Sequence, residues 1–263
     1  MLFPHRDIGR CIYCDTAEPP LTREHVLPRG LGGNFSPTGA QEAIVLRNAS
    51  CKSCQVITSK FENLCLKHNF GLIRHRKRLI KKERANAPFS ASVTTEDGAT
   101  SRVDLDPDDL HSVIAMPVLR HAGIVSGRWQ NTLLDSDVKF IATHGRKTQP
   151  DPTAKGVMLN MQVHFHAFYQ LLAKIAHGMA VARYGIDGFE HTLRETILGT
   201  YRLPGMWIGS DPDEIDERPT KGTLHQIKLR ETRHPKGRCV VVYIRLFSAY
   251  ETPNYYVVAG YAP

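Results

Sequence analysis

Two C-x2-C pairs, Cys11-Ile-Tyr-Cys14 and Cys51-Lys-Ser-Cys54, constrain this chain more than any other feature of it. A turn of that spacing presents two sulfurs to one ion. Two such turns supply four soft thiolates, the donor set of a tetrahedral structural zinc site. The bland alternative, four buried free thiols, leaves the doubled spacing unexplained. Cys65 and Cys239 have no partner at a comparable spacing and read as small core residues.

The cysteines sit in the charged part of the chain. Residues 1–90 hold 15 Lys+Arg against 7 Asp+Glu and five of the six cysteines, so they carry the whole net charge of +8. A local basic excess is the footprint of a polyanion binder, although an anionic membrane surface would attract it too. Over the 263 residues, 41% hydrophobic and 23% charged side chains are ordinary globular values and exclude disorder over most of the length. No apolar run reaches the ~18 residues of a membrane span, and the N-terminus has no signal-peptide apolar core. The expectation is a cytoplasmic protein with no membrane partner, whose cysteines stay reduced and free for metal.

The composition changes near residue 86. This suggests a zinc module over 1–85 and a larger accessory domain over 86–263, α+β in class. In the second part, Phe89–Thr95 and 101–105 flank an Asp97-Gly98 turn and read as a hairpin. Asp106-Pro107-Asp108-Asp109 reads as a helix start, with Pro117 ending or kinking that helix. A strand is expected at 138–143. Alternation at Val157, Leu159, Met161 and Val163 predicts another. Phe168, Leu171, Leu172, Ile175, Met179 and Ala182 then follow helical spacing, predicting Phe165–Tyr184 as a helix with one apolar face and Gly185 as its stop. A second helix over 189–198 and strands over 224–229, 239–247 and 255–261 complete the reading.

Between the cysteine pairs lies Leu21-Thr-Arg-Glu24-His25-Val-Leu-Pro28-Arg-Gly30-Leu-Gly32-Gly33-Asn34. With CIYC before it, Asn48 and CKSC after it, and Ser59-Lys60-Phe61-Glu62 beyond, this stretch resembles the HNH nucleases, the ββα-metal family with a treble-clef zinc site. It is most similar to the branch with a Glu-His pair. The resemblance covers about residues 8–75. It implies a metal-dependent endonuclease in which His25 activates the attacking water and Glu24 binds the catalytic Mg²⁺ or Mn²⁺. The metal would stabilise the leaving 3′ oxygen, giving a 5′-phosphate and a 3′-hydroxyl.

Elementary chemistry is compatible with those roles. A carboxylate oxygen is a hard ligand for Mg²⁺ or Mn²⁺, and an imidazole with an ordinary pKa near ~6.5 accepts a proton at neutral pH. Strand neighbours point to opposite faces, so Glu24 and His25 need a bulge or twist to serve one site. The family's Asn after the last cysteine is Gln55 here, and its Lys four residues after that cysteine is Thr58. If a helix starts near Cys51, Gln55, Ser59 and Glu62 share one face. Gln55 and Glu62 then read equally as ligands of the catalytic metal or as a solvated surface. Asn48 reads as a tie for the active-site loop.

Two charged runs complete the reading. Arg74, Lys77, Arg78, Lys81 and Lys82 would form one helical stripe suited to a phosphate backbone. Asp211, Asp213, Glu214, Asp216 and Glu217 read as a solvated loop. The function expected is nucleic-acid cleavage, DNA favoured over RNA, with one structural Zn²⁺ and a catalytic Mg²⁺ or Mn²⁺. A catalytically inactive zinc-ribbon nucleic-acid binder and a zinc-scaffolded interaction protein are the rivals. Oligomeric state is left open, a homodimer included.

Overall fold

A hairpin and a helix carry the cysteines, and a long buried helix joins them to an antiparallel sheet. The computed structural model describes residues 3–32, 43–79, 89–95, 97–106, 112–127, 137–143, 154–158, 162–211, 223–235 and 237–263. In chain order the elements are β1 (Leu21–His25), β2 (Val45–Cys51), α1 (Lys52–Leu64), α2 (Gly71–Arg76), β3 (Phe89–Thr95), β4 (Thr100–Leu105), β5 (Ser112–Val118), α3 (Gly123–Ser126), β6 (Asp137–Thr143) and β7 (Ala154–Met158). They continue with α4 (Phe165–Tyr184), β8 (Glu190–His191), α5 (Arg194–Leu198), β9 (Ile208–Asp211), β10 (His225–His234), β11 (Gly237–Leu246) and β12 (Asn254–Ala262). The class is mixed α+β. None of the described helices is long and apolar enough to cross a membrane.

The strands follow from residue alternation. On β11, Val240, Val242, Ile244 and Leu246 face the main core, while Cys239 and Val241 join a smaller cluster with Ala122, Tyr256 and Val258 on the other face. β12 pairs antiparallel with β11, and Tyr255, Val257 and Ala259 share the main face. A register shift between Val240 and Val241 then changes the parity, so Ala262 faces the main core and Tyr261 the other cluster. Gly260 lies at that shift. A Cβ there would come 1.8 Å from the Glu190 carbonyl oxygen, so only glycine lets β8 approach β12.

Helix α4 has the predicted ends, with the Gly185 N–H returning to the Val181 carbonyl at 2.8 Å. It differs in environment. Every residue from Ala167 to Ala182 is buried, Lys174 and His177 included, so the helix is enclosed rather than half-exposed. It packs against α1, α5, β11 and β12. One continuous core runs from Cys11 to Ala262 through this helix. The expected boundary between residues 85 and 86 lies outside the described residues.

Several expectations are corrected. The span ending at Pro117 is strand β5, not a helix. Among the described residues its sheet consists of β5 and β6, with Pro117 opposite Val138. Residues 107–111, where that helix would start, lie outside the described residues. The alternating strand starts earlier, at Ala154, and residues 162–164 are not in it. The helix expected over 189–198 begins only at Arg194, because Glu190 and His191 pair with β12.

Two buried histidines make the fold acid-sensitive. His225 accepts from the Phe247 N–H at Nδ1 (3.0 Å) and donates from Nε2 to the Leu31 carbonyl (2.7 Å), a set that only the neutral ring satisfies. Burial pushes its pKa down to about 4. Burial, with lesser effects from His191 and Arg194, pushes His177 down to about 3. The unfolded rings, near ~6.5, therefore take up protons first as pH falls. Stability present above pH ~6.5 is lost towards pH 4, at about 1.4 kcal/mol per pH unit for each ring. Urea titrations at pH 7 and pH 5 check this. His225→Gln should be less stable at pH 7 but should show a smaller pH slope than wild type.

Candidate functional site

Four sulfurs converge where the N-terminal turn meets the start of α1. Cys11 and Cys14 lie on the turn at residues 11–14, Cys51 ends β2, and Cys54 sits in the first turn of α1. Their Sγ atoms lie within 4.8 Å of one another, and those of Cys14 and Cys51 are 3.6 Å apart. A tetrahedral zinc with bonds of about 2.3 Å needs sulfur separations of about 3.8 Å, so this donor set fits a structural metal such as zinc. Burial pushes the Cys51 thiol up. Hydrogen bonds from the Cys54 backbone and the neighbouring thiols outweigh it and bring the pKa below the usual value. Burial and the nearby Cys11 raise that of Cys54.

The second part of the chain secures this turn. Ile12 and Tyr13, between the first two cysteines, are fully buried. The Ile12 carbonyl accepts from His177 Nε2 on α4 (2.8 Å) and from Arg194 Nε at the start of α5 (3.0 Å). Its N–H donates to Ala49 on β2 (2.9 Å). Losing the metal should therefore loosen the main core as well as the hairpin. Cys51→Ser is expected to leave the protein without stoichiometric zinc by elemental analysis and to lower its melting temperature. Zinc content unchanged in that variant would refute the four-cysteine site.

The Glu-His pair faces a cavity of about 510 Å³ beside the four-cysteine cluster. Arg23, Glu24, His25, Pro28, Arg29, Gly30, Lys52, Gln55, Ser59, Glu62 and Lys174 are among the residues lining it. The irregularity needed to turn Glu24 and His25 inward lies on the opposite strand. Thr22 pairs with Ser50, but Glu24 already pairs with Leu46, so β2 carries the extra residues and Asn48 takes a positive φ of 48° there. Asparagine tolerates that region better than most residues. Its side chain donates to Asp7 Oδ1 (2.9 Å), away from the cavity. Asn48 thus serves as a backbone device at the bulge and as a tie to the N-terminal segment.

Gln55, Ser59 and Glu62 do share one face of α1 and line the cavity. The Gln55 amide donates to Thr22 Oγ1 across the hairpin. The loop after His25 is held from three sides. Its short 3-10 turn, Arg29–Leu31, ends at Gly32, while Arg74 donates to the Gly30 carbonyl (2.6 Å) and His225 to that of Leu31.

That role for Arg74 corrects the basic stripe. Helix α2 ends at Arg76, and Arg78 has a positive φ of 53°, so no continuous helical face carries these cations. Arg74 also donates to the Leu66 carbonyl (2.8 Å), and Lys77 lies 5.2 Å from the centroid of the Tyr250 ring. Lys81, Lys82 and residues 212–217 of the acidic run lie outside the described residues. The exposed cations at the cavity are Arg23, Arg29 and Lys52. The sequence signal for them was adjacency to the motif itself, since they flank Glu24-His25 and follow Cys51.

Lys174 was missed altogether. Its side chain is 1% exposed, and its ammonium lies 2.7 Å from Glu24 Oε1, 2.7 Å from Glu62 Oε1 and 2.6 Å from the His25 carbonyl. Burial alone would favour the neutral amine, but Glu24 and Glu62 outweigh it and raise the pKa. Burial lifts the Glu24 carboxyl, against the pull of Lys174. Tyr13 lies fully buried near both carboxylates. Gly178, one turn after Lys174, lets α4 close on the hairpin: a Cβ there would sit 3.0 Å from Val26 Cγ2.

The residues named for Mg²⁺ or Mn²⁺ therefore do not fit such an ion while Lys174 occupies their midst. A divalent ion about 4 Å from the ammonium would meet a repulsion of roughly 8 kcal/mol at an effective dielectric of 20. The chain matches no protein-family model, no curated protein and no solved structure.

Proposed function

We propose that this chain is an HNH-type endonuclease, with residues 1–85 as a treble-clef, ββα-like module, hydrolysing phosphodiester bonds in nucleic acid and favouring DNA. The observation that carries the reading is one cavity that gathers Glu24 and His25 from β1 with Gln55 and Glu62 from α1, beside a four-cysteine cluster and under exposed Arg23, Arg29 and Lys52. The cations draw the phosphate to the cavity mouth and offset charge building on its oxygens. His25 takes a proton from water. The water oxygen attacks phosphorus, the bond to the 3′ oxygen breaks, and that oxygen is protonated from solvent. Lys174 holds the His25 carbonyl, so the general base is positioned from the buried side.

A specific observation favours a second reading, a nucleic-acid binder that does not cleave. Lys174 spends all its N–H donors on Glu24, Glu62 and His25, and it has none left for a phosphate.

Nicking of supercoiled plasmid by the zinc-loaded protein separates the two. His25→Ala should cut cleavage by about 10²–10⁴-fold while keeping zinc and DNA affinity. A wild-type protein that binds plasmid without nicking it is the binder. In either case Arg29→Glu and Lys52→Glu should weaken binding to all sequences and reduce its salt slope by about one phosphate contact each, as measured by fluorescence anisotropy from low to high salt.

A further inference from the structure

We propose that Lys174 is the resident cation of the Glu24–Glu62 site, taking the place that the HNH resemblance assigns to a divalent ion. The inference rests on reading this cavity as the working site of the chain.

Three features carry it. An ammonium has three N–H donors, and here three oxygens accept them at 2.6–2.7 Å, one from each of two carboxylates and one from the His25 backbone. The shell is therefore complete. Next, the cation is built into a helix that is buried over most of its length. Lys174 lies mid-way along α4, whose neighbours Ala173 and Ile175 are fully buried. Gly178 brings the same helix against Val26, next to the Glu-His pair. An ion entering between the carboxylates would leave a buried ammonium without its anions. Last, the ammonium joins separate parts of the fold. The two carboxylates come from different elements, β1 and α1, and the lysine from a third, so a single charge joins all three.

Lys174 is a positioning residue. It keeps Glu24 and Glu62 together and fixes the backbone of His25, and it has no donor left to touch a substrate. The consequence is a site that holds no Mg²⁺ or Mn²⁺ between these carboxylates.

Binding of Mn²⁺ alone to the full-length, zinc-loaded protein tests this, with free Mn²⁺ followed by electron paramagnetic resonance. Wild type should retain no stoichiometric Mn²⁺ at this site. Lys174→Met, whose unbranched stem fills the same channel, should gain one equivalent and lose it again on adding Glu24→Gln. One equivalent held by wild type and lost in Glu24→Gln would overturn the proposal. So would a folded, zinc-retaining Lys174→Met protein that gains none. If that variant does not fold, the wild-type and Glu24→Gln measurements decide alone. The readout needs no cleavage, so a protein that holds no Mn²⁺ and nicks no DNA sinks the nuclease reading and leaves this inference standing.

Discussion

A lysine ammonium in a protein interior is tolerated only where anions surround it, and in this chain that requirement ties three distant segments together. Lys174 sits on the helix that α1, α5, β11 and β12 pack against, and its partners come from the hairpin and from the helix that follows it. Taking the lysine away leaves the buried Glu24 carboxylate without its cation, and breaking a buried pair in this way typically costs about 3–5 kcal/mol. The zinc-type cluster holds the outer end of the same hairpin and helix. The lysine holds their inner end. Glu24 and His25 lie between the two clamps.

That arrangement explains why the first third of the chain is embedded in the rest. The Ile12 carbonyl bonds to His177 and Arg194, the Leu31 carbonyl to His225, and the His25 carbonyl to Lys174. Each is a loop or strand-end carbonyl that a small module alone would leave to water. The second part of the chain supplies a side-chain donor for each, and in doing so it fixes the loops that shape the cavity. Residues 86–263 thereby acquire a role that their lack of any catalytic motif concealed.

The electrostatics of the cavity divide by depth. The deeper charge is paired within the chain, where one ammonium is shared by two carboxylates. Exposed charge at the mouth is cationic, from Arg23, Arg29 and Lys52. Long-range attraction of a polyanion depends on the exposed set, and the geometry around His25 depends on the buried one. Within the basic run, Arg74 is drawn to the Gly30 and Leu66 carbonyls, whereas Lys77 and Arg78 are exposed.

What the amino-acid sequence determined by itself was local. Cysteine spacing identified the four-sulfur cluster, helical periodicity placed Phe165–Tyr184, and strands were expected within two residues of both ends of β11 and β12, while β10 runs five residues past its expected end. Those signals are carried by neighbours a few positions apart, as backbone geometry requires. The tertiary structure alone decided the rest. Nothing near Pro117 shows that its segment pairs with β6, and nothing near Asn48 shows that β2 must absorb the bulge. Lys174 reads locally as one charge in an apolar helix. Its partners lie 149 residues and more than 100 residues away in the chain, so only the packing of α4 against the hairpin and α1 makes it the cation of the site.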